Sequence, residues 1–200
     1  MRLLAIAVTC LTLAPFATAQ PKAKPVSATP PDKMKVAKGF AVELLYTVPK
    51  ETQGSWVCLT TLPDGRLVVS DQYDKGMYLV TPPKLGEKGE TKVEVMNLKF
   101  EGKPFGMAQG MCWAFDALYV VVNGRGPGLY KVTASKKDGP LDTVVLLRKL
   151  DGGGEHGPHA VMKHPDGKRL TVVCGNQTQM VKHDTTKVPR HWGEDQKSVV

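Results

Sequence analysis

Leu62-Pro63-Asp64-Gly65-Arg66-Leu67-Val68-Val69-Ser70-Asp71 is the stretch on which the reading of the fold turns. A Pro-Asp-Gly turn feeds straight into a β-branched run. Gly tolerates positive φ in a tight turn, and the run after it suits a strand. The pattern returns at His164-Pro165-Asp166-Gly167-Lys168-Arg169-Leu170-Thr171-Val172-Val173. It returns more loosely at Ala114-Phe115-Asp116-Ala117-Leu118-Tyr119-Val120-Val121-Val122-Asn123. The anchors Leu67, Leu118 and Leu170 stand 51 and 52 residues apart. A second anchor agrees: Gly76-Met77-Tyr78-Leu79-Val80-Thr81 recurs as Gly128-Leu129-Tyr130-Lys131-Val132-Thr133, 52 residues on.

Short strands at a fixed period near 50 residues, with no long helical periodicity, predict an all-β repeat protein, most naturally β-propeller blades. A sandwich built from hairpins is the alternative, although a sandwich need not repeat at one period. At this spacing Phe40 to Val200 spans about three blades, where closed rings hold roughly four to eight. Open ends leave unpaired strand edges. The expectation is therefore an incomplete ring, one that is part of a larger protein or assembles with another chain. Phe40-Ala41-Val42-Glu43-Leu44-Leu45-Tyr46-Thr47-Val48 reads as a lone strand ahead of the first hairpin.

Outward from the repeat, the N-terminus sets the compartment. Arg2 is followed by the uncharged apolar run Leu3–Phe16 and by Ala17-Thr18-Ala19, the order of a secretory signal peptide. Residues 1–19 are read as the signal, with an uncleaved anchor as the alternative; the run is short for a bilayer span of about 20 residues. No other segment is apolar enough to span, so no transmembrane helix is expected after cleavage, and the product is periplasmic or extracellular. Residues 20–39 carry Pro21, Pro25, Pro30 and Pro31 with few large apolar groups, and read as a flexible linker. Residues 40–200 form the partial propeller domain.

The chain has 27 Lys+Arg against 19 Asp+Glu, a net charge of +8. The lysines scatter over turns, with no aromatic-interleaved basic cluster, which argues against nucleic acid as a partner. Beyond the signal, Cys58, Cys112 and Cys174 show no CxxC spacing, so neither a zinc ribbon nor a haem attachment site is present. Their apolar flanks predict buried thiols, with a single disulfide as the alternative.

Three segments could carry chemistry. The first is Gly152-Gly153-Gly154-Glu155-His156-Gly157-Pro158-His159, where glycines free the backbone and His is the usual base near neutral pH. A structural turn and a metal site at Glu155, His156 and His159 are both alternatives there. The second is Met107-Ala108-Gln109-Gly110-Met111-Cys112-Trp113, in which Gln109 lies among apolar residues at a strand entrance and must find partners. The third is Cys174-Gly175-Asn176-Gln177-Thr178-Gln179, polar and following a strand.

His156, nine residues before Pro165, followed by Asp166-Gly167-Lys168, a strand and Gly175, resembles the soluble quinoprotein glucose/sorbosone dehydrogenase family. The resemblance implies an all-β propeller of the glucose/sorbosone dehydrogenase type, of which about three blades are present. It implies His156 as the base that takes the proton of a sugar hydroxyl while hydride passes to pyrroloquinoline quinone (PQQ), held with calcium. Gln109-Gly110 with Ala114-Phe115 is similar to the family's quinone-touching segment, at shorter spacing. The same likeness makes Gln109, Glu155 and Gln177 candidate cofactor contacts and puts Asn176 at the family's catalytic Asp position. An amide there can hold geometry but supplies no charge.

The span from Phe40 to about His191 is also similar to an exported bacterial family of membrane-bound dehydrogenases, in which Glu-His-Gly-Pro-His, Pro-Asp-Gly-Lys and Gly-Asn recur. That likeness implies a sugar or polyol substrate and a cytochrome c redox partner, with c-type haem only in a downstream domain. The family's quinone-gripping Arg and Lys residues and its calcium loop come from later blades. The chain by itself is therefore expected to be an inactive fragment of an exported sugar or alcohol dehydrogenase. The alternative is a non-catalytic periplasmic propeller that binds carbohydrate or a protein.

Overall fold

The computed structural model of the chain describes residues 28–179. The expected signal peptide and the first part of the linker, and the segment beyond Gln179, lie outside the described residues. Residues 28–39 bury nothing and hold one 3-10 turn, Pro31–Lys33.

The protein is β-rich, with several antiparallel sheets and almost no helix; α1 is the single turn Lys50–Gln53. The first sheet is a four-stranded meander: β1 (Trp56–Thr61), β2 (Leu67–Asp71), β3 (Met77–Thr81) and β4 (Lys92–Met96). A small ribbon follows, β5 (Lys99–Phe100) with β6 (Lys103–Pro104). The second sheet repeats the meander with β7 (Ala108–Ala114), β8 (Ala117–Val122), β9 (Gly128–Ala134) and β10 (Leu141–Lys149). The hairpin of β11 (Pro158–Lys163) and β12 (Leu170–Cys174) opens a third unit. The sequence period is therefore one sheet long, and equivalent strands fall at equivalent anchors.

The turns explain the registers. In the first hairpin Leu62 N donates to Arg66 O (2.7 Å) and Gly65 N to Leu62 O (3.0 Å), with Gly65 at φ +86°. This is a type I turn closed by a left-handed Gly, as three-residue hairpin loops favour. In the second, Ala114 pairs Ala117 directly, and Phe115 and Asp116 take φ of 47° and 53°. Two positive φ values mark a type I′ turn built without glycine. In the third, Gly167 N donates to His164 O (2.9 Å) and His164 N to Arg169 O (2.8 Å).

The units stack face to face. Leu118, Val120, Val122 and Val132 of the second sheet pack on Val68, Met77 and Leu62 of the first. From the opposite face, Ala117, Tyr119 and Val121 pack on Val161, with Leu170 and Val172 beside it. The first strands β1, β7 and β11 run side by side. A side chain at Gly110 of β7 would strike the backbone of His159 and Ala160, so the close approach of β7 to β11 requires glycine there.

One expectation is corrected. Phe40–Val48 is not a strand: it joins no ladder among the described residues, and Phe40, Leu44 and Leu45 are exposed. An extended run becomes a strand only when a ladder partner satisfies its N–H and C=O groups, and Phe40–Val48 takes no ladder partner among the described residues. Its one anchor is Tyr46, stacked on Trp56 at 5.5 Å, which in turn leans on Tyr78.

Asp166 shows how the turns are held. Its carboxylate accepts from Lys168 N (2.8 Å) and Arg169 N (3.2 Å) and pairs with Arg169 Nε (2.6 Å). The Lys168 amide first, then Arg169, hold the carboxyl down at about 2. A depressed folded pKa stabilises fully above the unfolded value near 4 and is lost as pH falls through the folded one. Asp166→Asn should therefore lower Tm at neutral pH, and the gap to wild type should close between pH about 4 and about 2. Thermal melts across that window check this; a gap that persists to the acid end contradicts it.

Candidate functional site

The starts of β1, β7 and β11 lie opposite the ends of β2, β8 and β12, as the pairs Trp56–Asp71, Ala108–Val122 and Pro158–Cys174 show. The candidate site sits at this end of the third unit. Its loop, residues 151–157, is tied to the turn that follows β12. Gln179 N donates to Asp151 O (2.6 Å), Gly175 N to Gly157 O (2.9 Å), and Gly152 bridges Thr178. Gln177 grips His156 twice: its N–H donates to His156 O (2.9 Å), and its side-chain oxygen accepts from His156 N (3.2 Å). The backbone of His156 is thus fixed while its imidazole stays exposed, with no hydrogen-bond partner among the described residues.

The other residues singled out in the sequence are placed as follows. Glu155 is exposed, and its carbonyl contacts His159 Nε2. Asn176 is exposed between Gly175 and Gln177, both of which touch the His156 backbone, and its amide makes no bond to the imidazole. Gln109 is half-buried on β7, one residue before the Gly110 contact with His159. The structure thus joins His156 to Gln177 by hydrogen bonds and leaves Gln109 unbonded to either. Glu155, His156 and His159 do not gather as a ligand set; among the described residues no three His, Cys, Asp or Glu side chains are placed to hold a metal.

Sequence reasoning missed Asn123. It follows the last residue of β8 on the second sheet, is buried, and reaches into the next unit, where Nδ2 donates to Gly154 O at 2.6 Å. Its Oδ1 is buried without a partner against Gly157, where any side chain would collide with it. The repeat makes its role legible afterwards. Asp71, Asn123 and Gly175 stand 52 residues apart. The carboxylate of buried Asp71 only accepts, from Ser55 N (2.7 Å), Tyr73 N (3.0 Å) and Lys75 N (3.0 Å). An amide at position 123 can also donate, and so catches a carbonyl of the loop. At position 175 a side chain would strike His156, and only glycine fits.

A second concavity lies between the first two units at the same end. It is a cleft of about 550 Å³ lined by Tyr73, Asp74, Lys103, Arg125 and the aromatic rings of Phe100 and Tyr130, among others. The cysteines take no part in either place. All three described thiols are free and partly buried, and burial pushes Cys58 up to about 11, so it stays protonated near neutral pH. Among the described residues no helix is long and apolar enough to cross a membrane.

Comparison with protein-family models, curated proteins and solved structures finds no match to this chain.

Asn123→Ala leaves the Gly154 carbonyl without its short bond and should cost roughly 1–3 kcal/mol in the local stability of the loop. Hydrogen exchange of residues 152–157 should accelerate by about tenfold or more, with β1–β4 unaffected. Unchanged exchange in the loop contradicts the latch.

Proposed function

We propose that the chain is an exported β-propeller-type scaffold carrying a dehydrogenase-like site for a sugar or related alcohol, in which His156 takes the proton of the substrate hydroxyl. The observation that carries this reading is the presentation of His156: its backbone is clamped by Gln177, and its ring is exposed at the end of the sheets where β2, β8 and β12 finish. A base must be held in place yet reachable by the proton it accepts. Two further features support the scaffold half of the proposal. The four-stranded meanders repeat at the sequence period, and their first strands lie side by side, the arrangement that blades have around an axis.

PQQ and calcium, which the family resemblance implies, find only part of a seat here. Calcium needs six to eight oxygen ligands, and among the described residues no acidic cluster is placed to supply them. The Gln177 side-chain oxygen is already engaged by His156 N. The described residues therefore do not fit the quinone with its calcium, and their chemistry is confined to proton acceptance at the imidazole and hydrogen bonding by nearby amides.

A second reading, a propeller that binds carbohydrate or a protein without turning it over, is favoured by one observation. Among the described residues no carboxylate is bonded to the His156 ring, and the residue at the position of the family's Asp is Asn176. Without that charge the imidazolium formed on proton transfer is less stabilised.

Dye-linked oxidation of a panel of aldoses and polyols by a full-length protein that includes this chain and further blades, with PQQ and calcium supplied, separates the readings, since the chain by itself is expected to be inactive. The dehydrogenase reading expects turnover that His156→Ala lowers by about 10²–10⁴-fold. Turnover equal in wild type and His156→Ala contradicts it. Saturable glycan binding by both proteins with no dye reduction supports the binding module instead.

A further inference from the structure

The cleft between the first two units shares no residue with the His156 loop. Its lining comes from the two four-stranded units and the ribbon that joins them, so it is complete within the described residues. Three connections build it. The turn after β2 brings Tyr73 and Asp74, the turn after β8 brings Arg125, and the ribbon β5–β6 brings Phe100, Glu101 and Lys103. The ribbon joins the last strand of one unit to the first strand of the next, as the segment carrying His156 does one unit later. Here that connection is drawn out into a hairpin. Glu101 and Gly102 take φ of 50° and 74°, a type I′ turn that pairs Phe100 with Lys103.

The lining is held in place before any ligand arrives. Tyr130 of β9 receives Phe100 and Phe105 edge-on, with ring centroids 5.1 and 5.0 Å away, and its hydroxyl donates to Gly126 O (2.6 Å). Those contacts tie the ribbon to β9 and to the turn after β8. Gly106 lies against the backbone of Gly76, where a side chain would press on it. Met107, also in the lining, holds a left-handed backbone with φ 61°. That conformation costs a non-glycine residue free energy and recurs at ligand clamps.

The chemistry left open is specific. Tyr73 is 62% exposed, and its ring packs on no other ring. The side chains of Asp74, Glu101, Lys103 and Arg125 are neither hydrogen-bonded nor ion-paired among the described residues. An anion in the cleft meets two carboxylates and a cation meets two cationic groups, so neither is favoured. A sugar hydroxyl donates and accepts at once, and so uses both kinds of group. Hydrogen bonds to ionised groups are shorter and stronger than neutral ones. The negative face of an aromatic ring suits the apolar C–H face of a pyranose. The cleft's volume of about 550 Å³ falls within the range of small-molecule sites. We infer that this cleft binds a short neutral oligosaccharide, with Tyr73 as the stacking platform and Arg125, Lys103, Asp74 and Glu101 hydrogen-bonding its hydroxyls. The site is separate from His156 and stands whether or not that residue performs catalysis.

The test is calorimetric titration of the full chain with maltotriose, cellotriose and triacetylchitotriose, and with inorganic phosphate as the charged probe. At least one trisaccharide is expected to bind with a Kd of about 1 mM or tighter. Its affinity should barely change with added salt, because no net charge is neutralised. Tyr73→Ala and Arg125→Ala should each weaken it by roughly tenfold or more. Both side chains are exposed and unbonded to the fold, so thermal melts should match wild type. Amide shifts on binding should gather at residues 73–76, 100–107 and 125–126. Failure of all the trisaccharides to bind overturns the inference, and so does phosphate binding in their place. Trisaccharide binding that survives both variants also overturns it; if His156→Ala abolishes that binding, the sugar belongs to the His156 loop instead.

Discussion

Strand β8 has no solvent face. Leu118, Val120 and Val122 point to the first sheet, and Ala117, Tyr119 and Val121 point to the third hairpin; all six are buried. A strand with apolar side chains on both sides needs a layer on each. That requirement holds three successive units in one stack, sets β7 against β11, and forces glycine at position 110, where the two backbones meet. The loop that presents His156 stands where it does because β11 must cover Tyr119 and Val121.

Polar groups add direction to this apolar packing. Buried Ser70, near the end of β2, accepts from Ala108 N (3.1 Å) at the start of β7, and Asn123, following β8, donates to Gly154 O (2.6 Å) ahead of β11. Each unit thus reaches into the backbone of the next at the same end of the sheets. Non-directional burial leaves sliding between layers inexpensive, whereas a short buried hydrogen bond fixes register because breaking it strands a desolvated group. The candidate site is a product of this arrangement: its loop belongs to one unit and its latch to another.

Much of the fold was legible in the sequence, and the reasons are local. Asp-Gly turns at 64–65 and 166–167 and the valine-rich runs after them report hairpins through backbone preference, and their spacing gives the unit length. The turn at Phe115-Asp116 carries no glycine, so only the repeat revealed it. Phe40–Val48 misled because its composition suits a strand while the deciding quantity, a neighbouring edge, is not local. The candidate site was half legible. The His156 loop and Gln177 stand out by composition, whereas Asn123 acts across 31 residues of chain and looks like an ordinary strand end until its partner is seen.

The account rests on β8 being covered from both sides, and paired truncations test that most directly. Val120 faces the first sheet and Val121 the third hairpin. Denaturant unfolding of Val120→Ala and Val121→Ala should show each destabilised by roughly 1–3 kcal/mol, since either change opens space in a packed layer. If Val121→Ala leaves stability unchanged while Val120→Ala does not, β8 has a solvent face and the stack of three units is wrong.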